Sequence, residues 1–141
     1  MHGKIVLDSS AVVALFFREE ASDRAEEVVG KYSERYTVSQ VYSEVANAAW
    51  KRVRFYGEDE ELVRQALDSA IEFVDGVCEV VDARELLDRA FDLSLELGIT
   101  VYDALFVALA AKLNTKLVTT DAKLVEKLRG TKLESLIELI S

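Results

Sequence analysis

Short runs of β-branched and apolar residues alternate along this chain with longer segments of helical periodicity. The pattern predicts strands over residues 4–7, 36–38, 76–81 and 116–119. Such alternation is typical of an α/β fold, in which helices flank a short and largely parallel sheet. Ligands of such sheets bind beyond the carboxyl ends of the strands. The residues that follow each predicted strand are therefore the first candidates for a functional site.

Seven segments have the periodicity of helices, namely residues 11–17, 21–32, 39–56, 58–74, 82–97, 100–113 and 121–128. Residues 39–56 have an apolar stripe that includes Val41, Val45 and Trp50, and residues 58–74 have one that includes Leu62 and Val74. Residues 100–113 are apolar almost all round, which predicts a buried helix. Residues 133–140 fit either an edge strand or a last helix.

Length and composition favour one domain over residues 1–141. Half of the 141 residues are hydrophobic, which is enough for one core, and no linker or repeat interrupts them. No apolar run approaches the roughly 20 residues that cross a bilayer, and the first residues lack the pattern of a signal peptide. The single cysteine, Cys78, cannot form an internal disulfide. We therefore expect a cytoplasmic protein that does not bind membranes.

The net charge of −9 argues against a protein that coats nucleic acid nonspecifically, because such proteins need a basic surface. Zinc sites are excluded on other grounds. The chain has one histidine, His2, and one cysteine, Cys78, which are too few ligands for a zinc site.

Four acidic residues occupy unusual positions. Asp8 and Asp121 follow predicted strands, Glu44 lies on or beside an apolar helical stripe, and Asp103 is the one charged residue between Gly98 and Ala111. Each has an ordinary structural explanation. Asp8 and Asp121 could cap helices. Glu44 could lie on an exposed flank of its helix, and Asp103 could form a capping arrangement with Thr100.

The four acids taken together favour a metal site over four unrelated structural roles. In a parallel α/β sheet they could all converge at one edge, where their charges would repel and raise each other's pKa. A bound divalent cation removes that cost. Oxygen ligands without a histidine or cysteine cluster favour Mg²⁺ or Mn²⁺.

Four segments of the chain resemble, in order, the four motifs of the PIN-domain family: VLDSSAVVAL, SEVANA, TVYDALFVALA and LVTTDAKL. The resemblance runs over essentially the whole chain and implies a PIN-like fold with Mg²⁺- or Mn²⁺-dependent endoribonuclease activity. It gives the metal-binding and catalytic roles to Asp8, Glu44, Asp103 and Asp121. Small hydroxyls near the metal would be Ser10 and either Thr119 or Thr120.

The short chain, without added domains, is similar to the VapC toxins of VapBC toxin–antitoxin pairs. This resemblance implies an RNA substrate and a VapB-like antitoxin as partner. It also implies a homodimer, since PIN toxins commonly pair through helices. The apolar residues on the helices predicted over 39–56 and 58–74 fit that role.

Three basic residues, Lys51, Arg52 and Arg54, cluster downstream of Glu44. Lys51 lies seven residues after Glu44 and so shares a helical face with it. The cluster could contact the RNA backbone. It could equally be a solvated helix end whose cations favour the C-terminal dipole.

Three alternatives remain open at this point. A receiver-like phosphoacceptor domain would need adjacent acids after the first strand and a lysine after a late strand. Here two serines follow Asp8, and the late strand is followed by an acid, Asp121, instead of a lysine. The other two are a noncatalytic PIN-like scaffold and an RNA-processing PIN nuclease without an antitoxin.

Overall fold

The computed structural model describes residues 3–141, so His2 lies outside the described part. Its strands are β1 (Lys4–Leu7), β2 (Glu34–Val38), β3 (Cys78–Val81), β4 (Lys116–Thr119) and β5 (Ile137–Leu139). They form one sheet in the order β3-β2-β1-β4-β5, and every neighbouring pair is parallel. The predicted α/β class and parallel sheet are confirmed, and residues 133–140 supply an edge strand.

In the described part of the chain, seven α-helices surround the sheet: α1 (Ser9–Phe16), α2 (Ser22–Gly30), α3 (Val41–Arg54), α4 (Glu60–Val77), α5 (Leu87–Leu97), α6 (Val101–Leu113) and α7 (Ala122–Leu128). Short 3₁₀ turns occur at Ala83–Glu85 and Glu134–Leu136. The prediction that a strand begins at Gly76 is wrong by two residues. Helix α4 continues through Gly76 because the buried Val74 anchors its last turns on the core, which outweighs the low helix propensity of glycine.

The core lies on both faces of β1, the central strand. Ile5, Val6 and Leu7 are fully buried there, as expected for a strand covered by helices on both sides. Helix α6 is buried from Ala104 to Ala110, which confirms the prediction from its uniformly apolar sequence. No single helix in residues 3–141 is long and apolar enough to span a membrane; α5 and α6, bent by 112°, reach that length and composition only as a pair.

The predicted buried faces of α3 and α4 are partly wrong. Trp50 is 52% exposed and Leu62 is 65% exposed, whereas Val63 is buried. Helix α4 turns Val63, Ala70 and Val74 towards the core, and this places Leu62 about a quarter of a turn away from it. Sequence periodicity did not separate these neighbouring apolar positions.

The parallel sheet places several chain segments at one edge. Asp8 follows β1, and Thr120 and Asp121 follow its neighbour β4. Helix α6 leads into β4 through a two-residue turn, so it runs back across the sheet and begins near the edge where β4 ends. Helix α3 starts after β2, the other neighbour of β1. The carboxyl edge therefore gathers the starts of α1, α3, α6 and α7.

Candidate active site

An open cavity of about 810 Å³ lies at this edge of the sheet. It contains all four acids of the predicted metal site: Asp8, Glu44, Asp103 and Asp121. The other lining residues are Ser9, Ser10, Val13, Glu19, Gln40, Ser43, Asn47, Ala48, Lys51, Tyr102, Phe106 and Thr120. Five of the lining side chains are acidic and one is basic, so the cavity is strongly negative.

Asp8 is the most buried of the four acids, with 6% of its surface exposed. Its Oδ1 accepts hydrogen bonds from the backbone N of Ala11, at 3.0 Å, and from Ser10 Oγ, at 2.6 Å. It therefore caps α1 as well as lining the cavity. The pKa of Asp8 is raised to about 6, mainly by burial and to a smaller extent by the charge of Asp103, against the opposing effect of the hydrogen bonds.

Glu44 and Asp121 are each held through one carboxylate oxygen. Ser9 Oγ donates to Glu44 Oε1 at 2.5 Å, which links the start of α1 to α3. Asp121 caps α7, because its Oδ1 accepts from the backbone N of Lys123 at 2.9 Å and of Leu124 at 3.3 Å. In both residues, as in Asp8, the structural hydrogen bonds use one oxygen and leave the second oxygen available to a ligand.

Asp103 lies in the first turn of α6, where Thr100 Oγ1 accepts a hydrogen bond from its backbone N at 3.1 Å. The cap uses the backbone, and the carboxylate lines the cavity. Burial raises the pKa of Asp103, the charges of Asp121 and Glu44 raise it further, and a hydrogen bond from the Thr100 side chain opposes these effects. Asp103 thus interacts electrostatically with each of the other three acids and is the centre of the group.

Two of the three predicted hydroxyls, those of Ser10 and Thr119, join the start of α1 to the end of β4, and Thr120 takes part through its backbone N. Ser10 Oγ lies 3.2 Å from Thr119 Oγ1 and accepts from the backbone N of Thr120 at 2.9 Å. Thr119 Oγ1 in turn accepts from the backbone N of Asp121 at 3.0 Å. Thr119 is fully buried, whereas Ser10 and Thr120 line the cavity. These bonds fix the position of Asp121 relative to Asp8.

The three predicted RNA contacts occupy different surroundings. Lys51 lines the cavity with Glu44, as their spacing predicts. Arg52 instead pairs with Glu19 at 3.4 Å and with Glu58 at 3.3 Å, outside the cavity lining. Arg54 is exposed at the end of α3, also outside the lining.

Several lining residues were not among the predicted site residues. Gln40 lies four residues before Glu44 and Asn47 three residues after it, so helical periodicity around Glu44 could have identified them, and Ser43 is its neighbour in sequence. Tyr102 is adjacent to Asp103. Glu19 follows α1 and reaches the cavity only through the tertiary fold, so no local sequence signal identifies it.

The side chains around the cavity fit a hard divalent cation in their chemistry. The four acids offer oxygen ligands alone, which suits Mg²⁺ or Mn²⁺. Within residues 3–141, no group of three or more His, Cys, Asp or Glu side chains is already arranged to hold a metal ion. A divalent cation would have to draw the four carboxylates together, because their charges repel one another.

Replacing Asp8 by Asn should stabilise the protein when no divalent cation is added. An acid whose pKa is higher in the folded than in the unfolded state destabilises the fold as pH rises. For Asp8 this penalty begins near pH 3.8 and is complete above about pH 6, and it amounts to on the order of 3 kcal/mol. Asn retains an oxygen that can cap α1 but has no charge.

Thermal denaturation in EDTA from about pH 4 to pH 8 measures this effect. We expect the melting temperature of the Asp8→Asn variant to exceed that of the wild type by several degrees at neutral pH, with the gap closing towards pH 4. Asp68→Asn, at an exposed position of α4, is the matched control and should show no such gap. A less stable Asp8→Asn variant would mean that capping outweighs the cost of burying the charge.

Comparison with known proteins identifies the family. The PIN domain family profile matches residues 5–129. Ribonuclease VapC3 of Pyrobaculum aerophilum is 41% identical over 124 residues, which cover 88% of this chain and 94% of that protein.

Solved structures share the fold. PAE2754 from Pyrobaculum aerophilum superposes with a TM-score of 0.67 at 24% identity, covering 91% of this chain and 81% of that one. VapBC2 from Rickettsia felis, bound to a DNA fragment from its promoter, gives a TM-score of 0.63 at 17% identity, covering 99% of this chain and 100% of that one.

The family profile spans most of the chain and includes all four acids of the cavity. Identity to a curated relative extends over nearly the same length. These matches exclude the receiver-like alternative. The chain belongs to the PIN domain family.

Proposed function

We propose that this protein is a divalent-metal-dependent endoribonuclease and the toxin of a VapBC-type pair, acting in the cytoplasm. The name of the relative Ribonuclease VapC3 supports the activity, and the solved VapBC2 structure supports the pairing with an antitoxin. The site itself must supply the chemical argument, because a fold can host many activities.

The arrangement of carboxylate oxygens carries the proposal. Asp8, Glu44 and Asp121 each use one oxygen in a structural hydrogen bond. Their second oxygens and the Asp103 carboxylate remain for a cation in the same cavity. A purely structural set of caps would not need four acids in one cavity, since their repulsion costs stability. This cost favours a nuclease over a noncatalytic scaffold.

In the proposed mechanism, Asp8, Glu44, Asp103 and Asp121 would hold Mg²⁺ or Mn²⁺. A cation held there would supply positive charge against the phosphate and would make water more acidic. Ser9 orients Glu44, while Ser10 and Thr119 fix the loop that places Asp121. Lys51 lies on the cavity wall, where its ammonium can attract the phosphate backbone.

Incubation of the purified protein with RNA and Mg²⁺ or Mn²⁺ tests the proposed activity. We expect internal cleavage of single-stranded or looped RNA into defined fragments. The Asp121→Asn variant, purified in the same way, controls for contaminating nucleases. Equal cleavage by both proteins would assign the activity to a contaminant or to another site.

An antitoxin should inhibit the enzyme by inserting an Arg or Lys towards Asp8, Glu44 and Asp103. A cation is the group that four carboxylates attract most strongly, and such a charge-assisted contact contributes about 1.5–3 kcal/mol. Apolar contacts must therefore supply most of the affinity. Exposed apolar side chains are available at Trp50 on α3 and at Phe55 and Tyr56, which follow it.

Co-purification with the product of an adjacent small gene tests this prediction. Changing the inserted cation to Ala should weaken the complex by roughly 10- to 100-fold and restore cleavage. Full inhibition by the changed partner would show that it blocks RNA by bulk alone. Absence of any such gene would favour an RNA-processing nuclease without an antitoxin.

A homodimer through α3 and α4 forms part of the proposal. Leu62 is 65% exposed on this surface, and Leu95 is 70% exposed on α5. Light scattering at micromolar concentration should show a dimer that Leu62→Asp dissociates and Leu95→Asp does not. The opposite result would place the interface on α5, and a monomeric wild type would end the dimer proposal.

A further inference from the structure

Tyr102 is an exposed aromatic residue on the rim of the acidic cavity. Its side chain is 65% exposed, although it follows the half-buried Val101 and precedes the buried stretch of α6 that begins at Ala104. The other aromatic residue of the cavity lining, Phe106, is 2% exposed and belongs to the core. Tyr102 therefore adds little to packing of the fold and presents its ring to whatever enters the cavity.

The backbone at Tyr102 is held in place. Gln40 Nε2, from the segment between β2 and α3, donates to the Tyr102 carbonyl at 3.0 Å. This bond joins the start of α6 to the region of α3 that contains Glu44. The ring consequently projects from a fixed point beside Asp103, the electrostatic centre of the acids.

The charge of the cavity limits how RNA can bind. Five carboxylates and one ammonium, from Lys51, line it, and Arg52 compensates the charge of one of the carboxylates, Glu19. One divalent cation would still leave the lining negative. Phosphate contacts alone cannot then provide much affinity. Stacking of a base on an aromatic ring does not depend on that charge, and it contributes substantially to binding of single-stranded nucleic acid.

From these observations we propose that Tyr102 is a base-stacking residue that binds an unpaired RNA base next to the phosphate held at the acids. This inference rests on the proposed ribonuclease function and narrows its substrate to RNA with accessible bases. A base within a duplex is already stacked on its neighbouring bases, so it cannot stack on the tyrosine ring.

Binding of a fluorescein-labelled single-stranded RNA of about ten nucleotides, containing all four bases, tests the inference. The parent protein has Asp121→Asn to prevent cleavage and is studied with Mg²⁺. We expect Tyr102→Ala to bind roughly 5- to 150-fold more weakly. Tyr102→Phe, which keeps the ring, should recover most of that loss. Tyr56→Ala, at an exposed tyrosine outside the cavity lining, is the matched control.

Two further measurements separate stacking from other contacts. One base of the RNA at a time is removed by abasic substitution. At one position this should weaken binding to the parent protein but not to Tyr102→Ala, as expected if that base and the Tyr102 ring are in direct contact. The salt dependence of binding should stay the same in Tyr102→Ala. In Lys51→Gln, by contrast, its logarithmic slope should fall by about 0.7.

Each negative result has a distinct meaning. Equal affinity of Tyr102→Ala and the parent, in a protein that cleaves RNA, would overturn stacking and leave the nuclease intact. A Phe variant as weak as the Ala variant would replace stacking by a contact of the hydroxyl. If the wild-type protein neither bound nor cleaved RNA, the proposed function would fail, and Tyr102 would be better explained as a contact for a protein partner.

Discussion

Asp103→Asn should abolish RNA cleavage while leaving the fold intact. Asp103 interacts electrostatically with Asp8, Glu44 and Asp121, so its removal takes charge from the centre of the group. Mutation of a residue that only supports a metal ligand already lowers metal affinity or activity by roughly 10- to 100-fold. The loss of cleavage rate in Asp103→Asn should therefore exceed about 100-fold. The cap on α6 uses the backbone N of Asp103 and is unaffected by the substitution.

Two measurements on each variant test this prediction: the initial rate of RNA cleavage at saturating Mg²⁺ and the melting temperature. Asp92→Asn, at an exposed position of α5, controls for the loss of one negative charge from the protein. The control should keep the wild-type rate. An Asp103→Asn variant that is folded and fully active would remove Asp103 from the reaction, and an unfolded one would make its role structural.

The fold could be predicted largely from hydrophobic patterning. The buried strand at Ile5–Leu7 and the buried helix from Ala104 to Ala110 follow from runs of apolar residues that leave no polar face. The predictions of buried residues were wrong where tertiary packing determines which of two neighbouring apolar residues is buried. Leu62 and Val63 are both apolar, and only the contacts of α4 with the rest of the protein determine that Val63 is the buried one.

The positions of the acids relative to strands predicted their shared location, because the carboxyl ends of parallel strands meet at one edge. The structure places all four in one cavity, and their roles in catalysis remain predictions. Periodicity could not show that Arg52 pairs with Glu19 and Glu58, since those partners lie 33 and six residues away in sequence. For the same reason, periodicity could not identify Glu19 as a residue of the cavity.

Removal of divalent cations should stop cleavage completely. The four carboxylates give the cavity a negative charge that repels the phosphate backbone, and among residues 3–141 Lys51 is the one cation in its lining. Without a divalent cation the site can therefore neither approach a phosphate nor stabilise the charge that develops on it. The effect should exceed that of any single substitution, because it removes the whole cation that all four acids are proposed to bind.

Cleavage of one labelled RNA by the wild-type protein, followed in EDTA and again after Mg²⁺ or Mn²⁺ is added in excess, tests the metal-dependent nuclease most directly. A constant concentration of monovalent salt keeps RNA binding comparable between the two conditions. We predict no cleavage above that of the Asp121→Asn protein in EDTA, and full recovery with the added cation. Cleavage at an unchanged rate in EDTA would contradict the metal-dependent mechanism.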